Sequence, residues 1–428
     1  MVNQAKKIVG MAKKKDRRNL KSKSDARNED GQYVSDDEGS MCNDAASVTS
    51  EAGSLAPDTE TEAVDESSKV EMYEAKLREA LELATQKSAA GRLKALEAIC
   101  QAFLKRYCPD FIENQQVTTC DVIERALKKG KGGEIEAGAR LAVLLALQLS
   151  DPENVYKELK PVLVTILQDK TASATSRASV ASSLAGLCFL GGGEMAEVLG
   201  TMALLEAVHS NVLSSAELTA AAVSGWSLLL SLQSPGEVTR IADPVISKLS
   251  GHLNSGDVEV RITAGEAIAL VLEFAYDYDE EFEPENMTEL IETLRQLATD
   301  STKSRSKKDR KEQRSSFRDI LGAVEEGHSP SERVKFGQEV LYLDSWYKKL
   351  QYDWFCKLLG SGMNLHLSAN HMIREIFELP PPLPAFDQAM SSKMSKTQRN
   401  AANQLSFKLR TQSRNKNRGK RSEYSTTP

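Results

Sequence analysis

The sequence predicts an all-α protein with a long array of stacked helices, a smaller helical domain after it, and disordered segments at both termini. Three observations support this prediction. Ala and Leu dominate the apolar residues, which make up 40% of the chain, whereas aromatic residues make up only 6%. A pattern of apolar residues repeats between residues 70 and 300, and charge is separated into blocks. Ala and Leu favour helices because they lose little side-chain freedom there.

Residues 1–68 are predicted to be disordered. Residues 1–27 carry ten Lys or Arg and two Asp, and residues 28–68 carry twelve acidic residues and no basic one. Segments of this composition bury too little apolar surface to fold. Ser35 directly precedes three acidic residues, a context that acid-directed kinases accept, and it is therefore a candidate phosphorylation site. The alternative is a solubilising tail without a switch.

Residues 69–300 are predicted to form helical repeats of 41–44 residues. The repeats are anchored at Arg92, Glu136, Arg177, Thr219 and Arg261. Three residues after each anchor lies a smaller apolar residue: Ala95, Ala139, Val180, Ala222 and Ala264. Seven and eleven residues after the anchors lie further residues for the same face: Ile99, Val143, Leu184, Trp226 and Ile268, then Phe103, Leu147, Cys188, Leu230 and Leu272. This spacing, with a second helix between anchors, is typical of armadillo- or HEAT-like solenoids, which usually bind other macromolecules.

Residues 301–386 lose this period and are predicted to form a small helical C-terminal domain. The segment from Ser304 to Ile320 holds seven Lys or Arg against three acidic residues, although the whole chain has a net charge of -6. Phe317, Ile320 and Val324 share one helical face, and the bases step by three or four residues along another. A helix here would dock on one side and be positive on the other. The aromatic residues between 346 and 354 are predicted to belong mostly to the core.

Residues 387–428 form a basic tail, predicted to be disordered or to become helical on binding. From residue 392 onward the tail carries ten Lys or Arg and one acidic residue. A thin apolar stripe follows helical spacing at Met390, Met394, Ala401, Leu405 and Leu409. Such a helix would be marginal alone in water, so a partner that supplies negative charge would be needed to order it. The acidic segment, residues 29–66, could compete with nucleic acid for these Lys and Arg side chains.

No enzyme motif is found in the sequence. Neither an HExxH nor a GxSxG sequence occurs, and the six cysteines form no CxxC pair. The cysteines are therefore expected to be free thiols in a reducing compartment. We expect a non-enzymatic protein without a metal or other cofactor, without a small-molecule substrate and without a membrane segment.

Several stretches resemble the interferon-related developmental regulator family. In the C-terminal part they read KKDRKEQRSSFRDILGAVEE, KFGQEVLYLDSWYKKLQYDWFCKLLGSGMNLHL and IREIFELPPP, and in the repeats RALKKGKGGE and RITAGEAIALVLE. Gln338 departs from the family pattern, which has Pro after Phe336 and Gly337. The resemblance implies a helical-repeat protein acting without catalysis, either at ribosomes that are not translating or as a transcriptional co-regulator with histone deacetylase complexes.

The resemblance and the basic segments together predict binding to ribosomes and ribosomal RNA, with translation repressed because the mRNA and tRNA paths are blocked. RNA offers a dense phosphate surface that Lys and Arg can bind without reading bases. The predicted phosphate-binding residues are Lys303, Lys307, Lys308, Arg310, Lys311, Arg314, Arg318, Lys408, Arg410, Arg414, Lys416, Arg418, Lys420 and Arg421. This prediction places the protein in the cytoplasm.

Two alternatives remain open at this point. The basic clusters at residues 13–18 and 417–421 could be nuclear import signals, with the solenoid a scaffold for histone deacetylase co-repressor proteins in the nucleus. An importin-like cargo adaptor is compatible with the solenoid alone, but the array is short for that role.

Overall fold

The computed structural model describes residues 66–300 and 306–382, except for the side chains of residues 66–69 and Lys307. Twelve helices come first. In chain order, α1–α12 are Glu66–Leu83, Ala89–Lys105, Pro109–Lys129, Glu134–Ala146, Glu153–Gln168, Ala174–Gly191, Met195–His209, Ala216–Leu230, Pro235–His252, Val258–Tyr278, Met287–Thr299 and Lys307–Glu326. The strands β1 (Glu332–Phe336) and β2 (Glu339–Leu343) follow, and then α13 (Trp346–Leu359), a 3₁₀ turn (Gly360–Gly362), α14 (Met363–Ala369) and α15 (His371–Ile376).

Helices α2 to α12 form two layers. The even-numbered helices pack on one another in sequence to form an inner row, and the odd-numbered helices from α3 to α11 pack on them from outside. The first helix, α1, packs on α2 and begins close to the predicted start of the array at residue 69. This arrangement confirms the predicted armadillo- or HEAT-like fold.

The predicted repeat register is confirmed at every position. All fifteen apolar residues that were placed three, seven and eleven positions after the anchors are at least 95% buried. The arginine anchors also have a local role, because each donates to the main chain of the preceding turn or helix end. Arg92 Nη1 donates to the carbonyl oxygen of Lys87 (2.8 Å), Arg177 Nε to that of Leu167 (2.9 Å) and Arg261 Nη1 to that of Ser255 (2.5 Å). These bonds satisfy carbonyl groups that a helix end or turn leaves unpaired.

The inner row continues past residue 300 to α12. Arg261 Nη2 of α10 donates to Oε1 of the buried Gln313 of α12 at 2.6 Å. Ile320 and Val324, seven and eleven residues after Gln313, are buried as at the other anchors. Arg261 and Gln313 are separated by 52 residues, which explains why the period was lost from the sequence. The domain boundary at residue 300 stays a prediction, although the stacking of inner helices crosses it.

A β-hairpin lies after α12 and was not predicted from the sequence. Strands β1 and β2 pair antiparallel, with Phe336 opposite Glu339, so Gly337 and Gln338 form a two-residue turn. Gly337 has a φ of +56°, which suits the first turn position of a type II′ hairpin. Gln338 therefore fits this turn in place of the proline of the family pattern.

The predictions for residues 1–65, 301–305 and 383–428 lie outside the described residues. Within the described part, Cys100, Cys120 and Cys188 are buried and unbridged, and Cys108 and Cys356 are half-buried and unbridged. In the same part of the chain, no helix is both long and apolar enough to cross a membrane.

Candidate nucleic-acid interface

Helix α12 is held by its apolar side. Ser306 caps the helix, its hydroxyl accepting from the main-chain nitrogen of Asp309 at 3.1 Å. Phe317 and Ile320 are fully buried against α10, where Gly265 leaves room for both side chains. A left-handed Gly327 ends the helix. The predicted apolar face is therefore docked, and its docking fixes which side of α12 faces solvent.

The opposite side of α12 is positive. Lys308, Lys311 and Arg318 are exposed, and Arg310 and Arg314 are half-buried at the margin of the docked face. Arg314 Nε donates to the main-chain oxygen of Arg310 at 3.1 Å, which holds that side chain along the helix. Lys308, Lys311 and Arg318 are separated by three and seven residues, so they follow one side of the helix and form a positive stripe.

These cations form no ion pairs with the described residues. Within the described ranges 66–300 and 306–382, no carboxylate oxygen lies within 4 Å of the charged nitrogens of the five cations of α12. Cations at a surface that are not paired internally remain available to phosphates. The positive stripe is thus exposed, is held on a docked helix, and forms no ion pair with the described part of the chain, although Asp319 interacts with Arg318 at longer range.

Most of the other predicted phosphate-binding residues lie outside the described part of the chain. Lys307 lies in α12, but its side chain is outside the described residues. Outside them as well are Lys303, Lys408, Arg410, Arg414, Lys416, Arg418, Lys420 and Arg421, and the candidate phosphorylation site Ser35. The assignment of all these residues stays a prediction.

Helix α13 crosses the concave face of the inner row and was not placed there from the sequence. It packs on α8 and α10, and the indole of Trp354 contacts Gly186 of α6. Arg140 Nη2 of α4 donates to the main-chain oxygen of Leu358 at 2.6 Å, and Gln351 Nε2 donates to Ser231 Oγ at 2.9 Å. Trp346, Tyr352 and Trp354 are buried, as predicted for core aromatics.

The remaining short helices continue this packing back to the first repeats. His366 Nε2 lies 3.0 Å from the main-chain oxygen of Phe103 at the end of α2, and Asn370 Nδ2 donates to that of Leu147 at the end of α4. Both side chains are fully buried. The described residues hold no group of three or more His, Cys, Asp or Glu that could bind a metal ion.

Beside α13 the inner helices line a concave groove with a volume of about 950 Å³. Helices α2, α4, α6, α8 and α10 form its floor, and Trp354, Lys357 and Leu358 of α13 form a wall. The groove was missed at the sequence level. Its signal is the run of Ser and Ala on the groove side of α6 and α8, where a fully solvated helix face would usually carry charged residues. Ser179, Ser183, Ala221 and Ser224 illustrate this run.

A charged cluster helps to seat α13 on α10. Lys349 Nζ lies 3.0 Å from Asp353 and 3.0 Å from Glu332 of β1, and Lys357 Nζ lies 2.6 Å from Glu259 of α10. Burial raises the pKa of Glu266 of α10 to about 7, and the carboxylate of Asp353 adds to this increase. The cluster therefore joins α10, α13 and the hairpin by electrostatic contacts.

Glu273 of α10 supplies the cap for the N-terminus of α13. Its two carboxylate oxygens accept from the main-chain nitrogens of Trp346 (2.8 Å) and Tyr347 (3.2 Å), while Ser345 at the cap position makes no such bond. Burial raises the pKa of Glu273, although these two hydrogen bonds oppose the increase. A carboxylate at a helix N-terminus satisfies free N–H groups and interacts favourably with the helix dipole.

We expect Glu273→Gln to lower the free energy of unfolding by about 1–2 kcal/mol, because an amide group can accept only one of the two hydrogen bonds and carries no charge. Urea unfolding followed by circular dichroism measures this loss. Glu289→Gln, at an exposed site in the first turn of α11, is the matched control and should change stability by less than about 0.5 kcal/mol. Equal effects of the two substitutions would contradict the capping role.

Comparison with known proteins identifies the family. The family model described as interferon-related developmental regulator matches residues 40–325, and the model described as interferon-related protein conserved region matches residues 370–422. The chain belongs to the interferon-related developmental regulator family. It is 41% identical to interferon-related developmental regulator 1 of Sus scrofa over 85% of this chain and 84% of that protein. It is 39% identical to interferon-related developmental regulator 2 of Mus musculus over 89% and 91% of the two chains.

Among solved structures, this family member is similar to a designed armadillo repeat protein. The two are 13% identical, with a TM-score of 0.36, and the similarity covers 57% of this chain and 99% of the designed one. The second family match begins at residue 370 and so includes α15, which packs with α14 beside the end of α2.

Proposed function

We propose that this family member is a non-enzymatic regulator that binds ribosomes through ribosomal RNA and represses translation by blocking the mRNA and tRNA paths. The observation that carries the proposal is the positive stripe of α12: Lys308, Lys311 and Arg318 are exposed and form no ion pair with the described residues. A solenoid presents an extended surface for binding macromolecules, which is consistent with action by steric exclusion.

The docking of α12 supports phosphate binding in a specific way. A helix whose Phe317 side is fixed on α10 holds its cations in a constant arrangement, so binding loses less conformational freedom than with a mobile basic segment. A nuclear import signal has no such need, since it is read as an accessible basic peptide. Both clusters that could serve as import signals, residues 13–18 and 417–421, lie outside the described residues.

The test is the triple variant Lys308→Glu, Lys311→Glu, Arg318→Glu in the full chain. Loss of three phosphate contacts should weaken binding to purified ribosomes about a hundredfold at 0.1 M salt and flatten the slope of log K against log salt by about 2 to 3. The new carboxylates at residues 308 and 311 lie near the N-terminus of α12, where the helix dipole favours negative charge, so folding should be preserved. Co-sedimentation across a salt series measures both quantities.

The matched control is Lys76→Glu, Lys87→Glu, Lys170→Glu, which changes the net charge equally at three exposed sites distant in sequence from α12. It should bind ribosomes nearly as the parent chain does. Equal loss in both variants, or no loss in the α12 variant, would contradict the proposal. Absence from ribosomes together with recovery among deacetylase complexes would favour the transcriptional co-regulator instead.

A further inference from the structure

The concave groove is in the upper size range of ligand sites, and small side chains line its floor. Its volume of about 950 Å³ is in the upper range of ligand sites, which is roughly 300–1,000 Å³. Small side chains such as Ala137, Ser179, Ala220 and Ser224 line the floor. Such residues allow a polypeptide backbone or long side chains to approach the inner helices closely.

The charge of the groove excludes nucleic acid as its ligand. Five carboxylates line it against two cations, Arg140 and Lys357. Both cations already have partners, since Arg140 donates to the main-chain oxygen of Leu358 and Lys357 pairs with Glu259. A phosphate backbone would be repelled by the remaining negative charge. The groove therefore favours a cationic polypeptide.

Three of the carboxylates retain free capacity for such a ligand. Glu97 of α2 and Glu217 of α8 are exposed, with no cationic nitrogen of the described residues within 4 Å. Glu136 of α4 accepts from Ser176 Oγ (2.7 Å) and Thr175 Oγ1 (3.4 Å) through one oxygen, and its other oxygen is buried without a hydrogen-bond partner in the described part of the chain. These three residues come from three inner helices, so a ligand lying along the groove would meet them in succession.

The chain itself contains a segment of the required chemistry. Residues 393–421 hold ten Lys or Arg and no acidic residue. The described chain ends at residue 382, after α14 and α15 have packed beside the end of α2. Ten residues from 383 to 392 can span up to about 35 Å, and Glu97 lies only about 9 Å along α2 from Phe103, which His366 contacts. The segment can therefore reach the groove.

The basic N-terminal block is a weaker candidate for this site. Its ten basic residues are followed directly by the acidic 28–68 segment, in which eleven of the twelve acidic residues precede α1. Those acids are at a high local concentration and would compete with the groove for the bases. The C-terminal segment contains no such competing acids.

We propose that residues 393–421 dock in the concave groove of their own chain in the free protein, with their cations facing Glu97, Glu136 and Glu217. Docking would sequester the tail until a more highly charged partner competes for it. Only that second statement depends on the proposed ribosome binding, because the docking is an intramolecular contact that exists without RNA.

The position of the tail can be tested by zero-length carbodiimide cross-linking of the full chain. The sample is first treated with ribonuclease, and it is a mixture of isotopically light and heavy protein. We expect amide links between tail lysines such as Lys408 or Lys416 and Glu97 or Glu217, each within one isotopic chain. Links only between light and heavy chains, links from the tail to residues 29–66, or links from the N-terminal block to the groove would each overturn the proposal.

The contribution of the groove charges can be tested by limited trypsin digestion of the same full-length protein. The variant Glu97→Lys, Glu217→Lys should accelerate cleavage within residues 393–421 by about five- to tenfold, since each substitution replaces an attraction by a repulsion. The control Glu79→Lys, Glu289→Lys changes the same charges outside the groove, and Glu289, like Glu217, lies in the first turn of its helix. Equal cleavage rates in the parent and the groove variant would overturn the proposal.

The two proposals fail separately. Tail protection that depends on Glu97 and Glu217, in a protein that does not bind ribosomes, would retain the docking and reject the ribosomal function. Ribosome binding, together with equal rates of tail cleavage in the parent and in the Glu97→Lys, Glu217→Lys variant, would retain the ribosomal function and reject the docking.

Discussion

Replacing Arg374 by Met should lower the free energy of unfolding by about 3–5 kcal/mol, which is the loss expected when one partner of a buried ion pair is removed. Arg374 is 1% exposed. Its guanidinium binds both carboxylate oxygens of Glu339 of β2, at 3.0 and 2.6 Å, and donates to the main-chain oxygens of Leu367 (2.7 Å) and Pro380 (2.6 Å). One side chain thus joins the hairpin, α14, α15 and the segment that follows α15.

The size of the effect follows from what Arg374→Met leaves behind. The carboxylate of Glu339 would be mostly buried without a cation, and two carbonyl oxygens would lose their donors. Arg374→Lys should recover little, because a single ammonium cannot reproduce the planar, two-pronged pairing. Urea unfolding of the parent chain and of the Arg374→Met and Arg374→Lys variants measures the three free energies of unfolding.

Two further variants separate the ion pair from general effects of substitution. Adding Glu339→Met to Arg374→Met should restore part of the lost stability, because the unpaired carboxylate is then removed as well. Arg333→Met, at an exposed position of β1, should change stability by less than about 0.5 kcal/mol. If Arg374→Met lowered the free energy of unfolding by less than about 1 kcal/mol, the contacts of Arg374 would not be important for stability.

The repeat array was predictable from the sequence because its helices follow local rules. Anchors about 42 residues apart, each followed by apolar residues on one face, defined the inner helices from α2 to α10 and their buried residues. Helix α12 follows the same register, but ten additional residues before Gln313 hid it. Insertions in the connections between helices leave the packing of the helices intact. They disrupt the regular spacing, however, and that spacing is the signal by which a repeat is found in a sequence.

The positive stripe of α12 could also be anticipated, since both its charges and its Phe317 face are properties of one helix. The hairpin was harder to predict from the sequence. Its strands have five residues each and partly buried faces, so Gly337 in the turn was the main local signal within a helical context.

The acidic groove and its α13 wall depend on contacts between distant parts of the chain. Trp354 contacts Gly186, 168 residues earlier, and Glu273 caps α13 across 73 residues. No periodicity within a helix encodes such pairs. Composition provides only an indirect sign, the excess of Ser and Ala on the groove side of α6 and α8.

The contact between Gly186 and Trp354 leads to a second large expected effect. A Cβ atom at residue 186 would lie 2.3 Å from Cη2 and 2.6 Å from Cζ2 of the Trp354 indole, and 3.1 Å from Cγ1 of Val143. Trp354 is 5% exposed and its ring is rigid, so α13 would have to shift. We expect Gly186→Ala to destabilise the protein by about 1–3 kcal/mol, as overpacking of a core does.

Gly200→Ala in α7 provides the matched control. No atom lies within 4 Å of the Cβ position at residue 200, so the same substitution should stabilise the protein by about 0.5–1 kcal/mol through the helix propensity of Ala. The opposite signs of the two changes, measured by urea unfolding, isolate the cost of displacing α13. If Gly186→Ala were stabilising to the same degree, α13 would not be seated on α6.

Combining Gly186→Ala with Trp354→Phe should recover part of the loss, because a smaller ring leaves space for the new methyl group. Because Trp354 also lines the groove, Gly186→Ala should in addition weaken the proposed protection of residues 393–421 from trypsin, whereas Gly200→Ala should leave it unchanged.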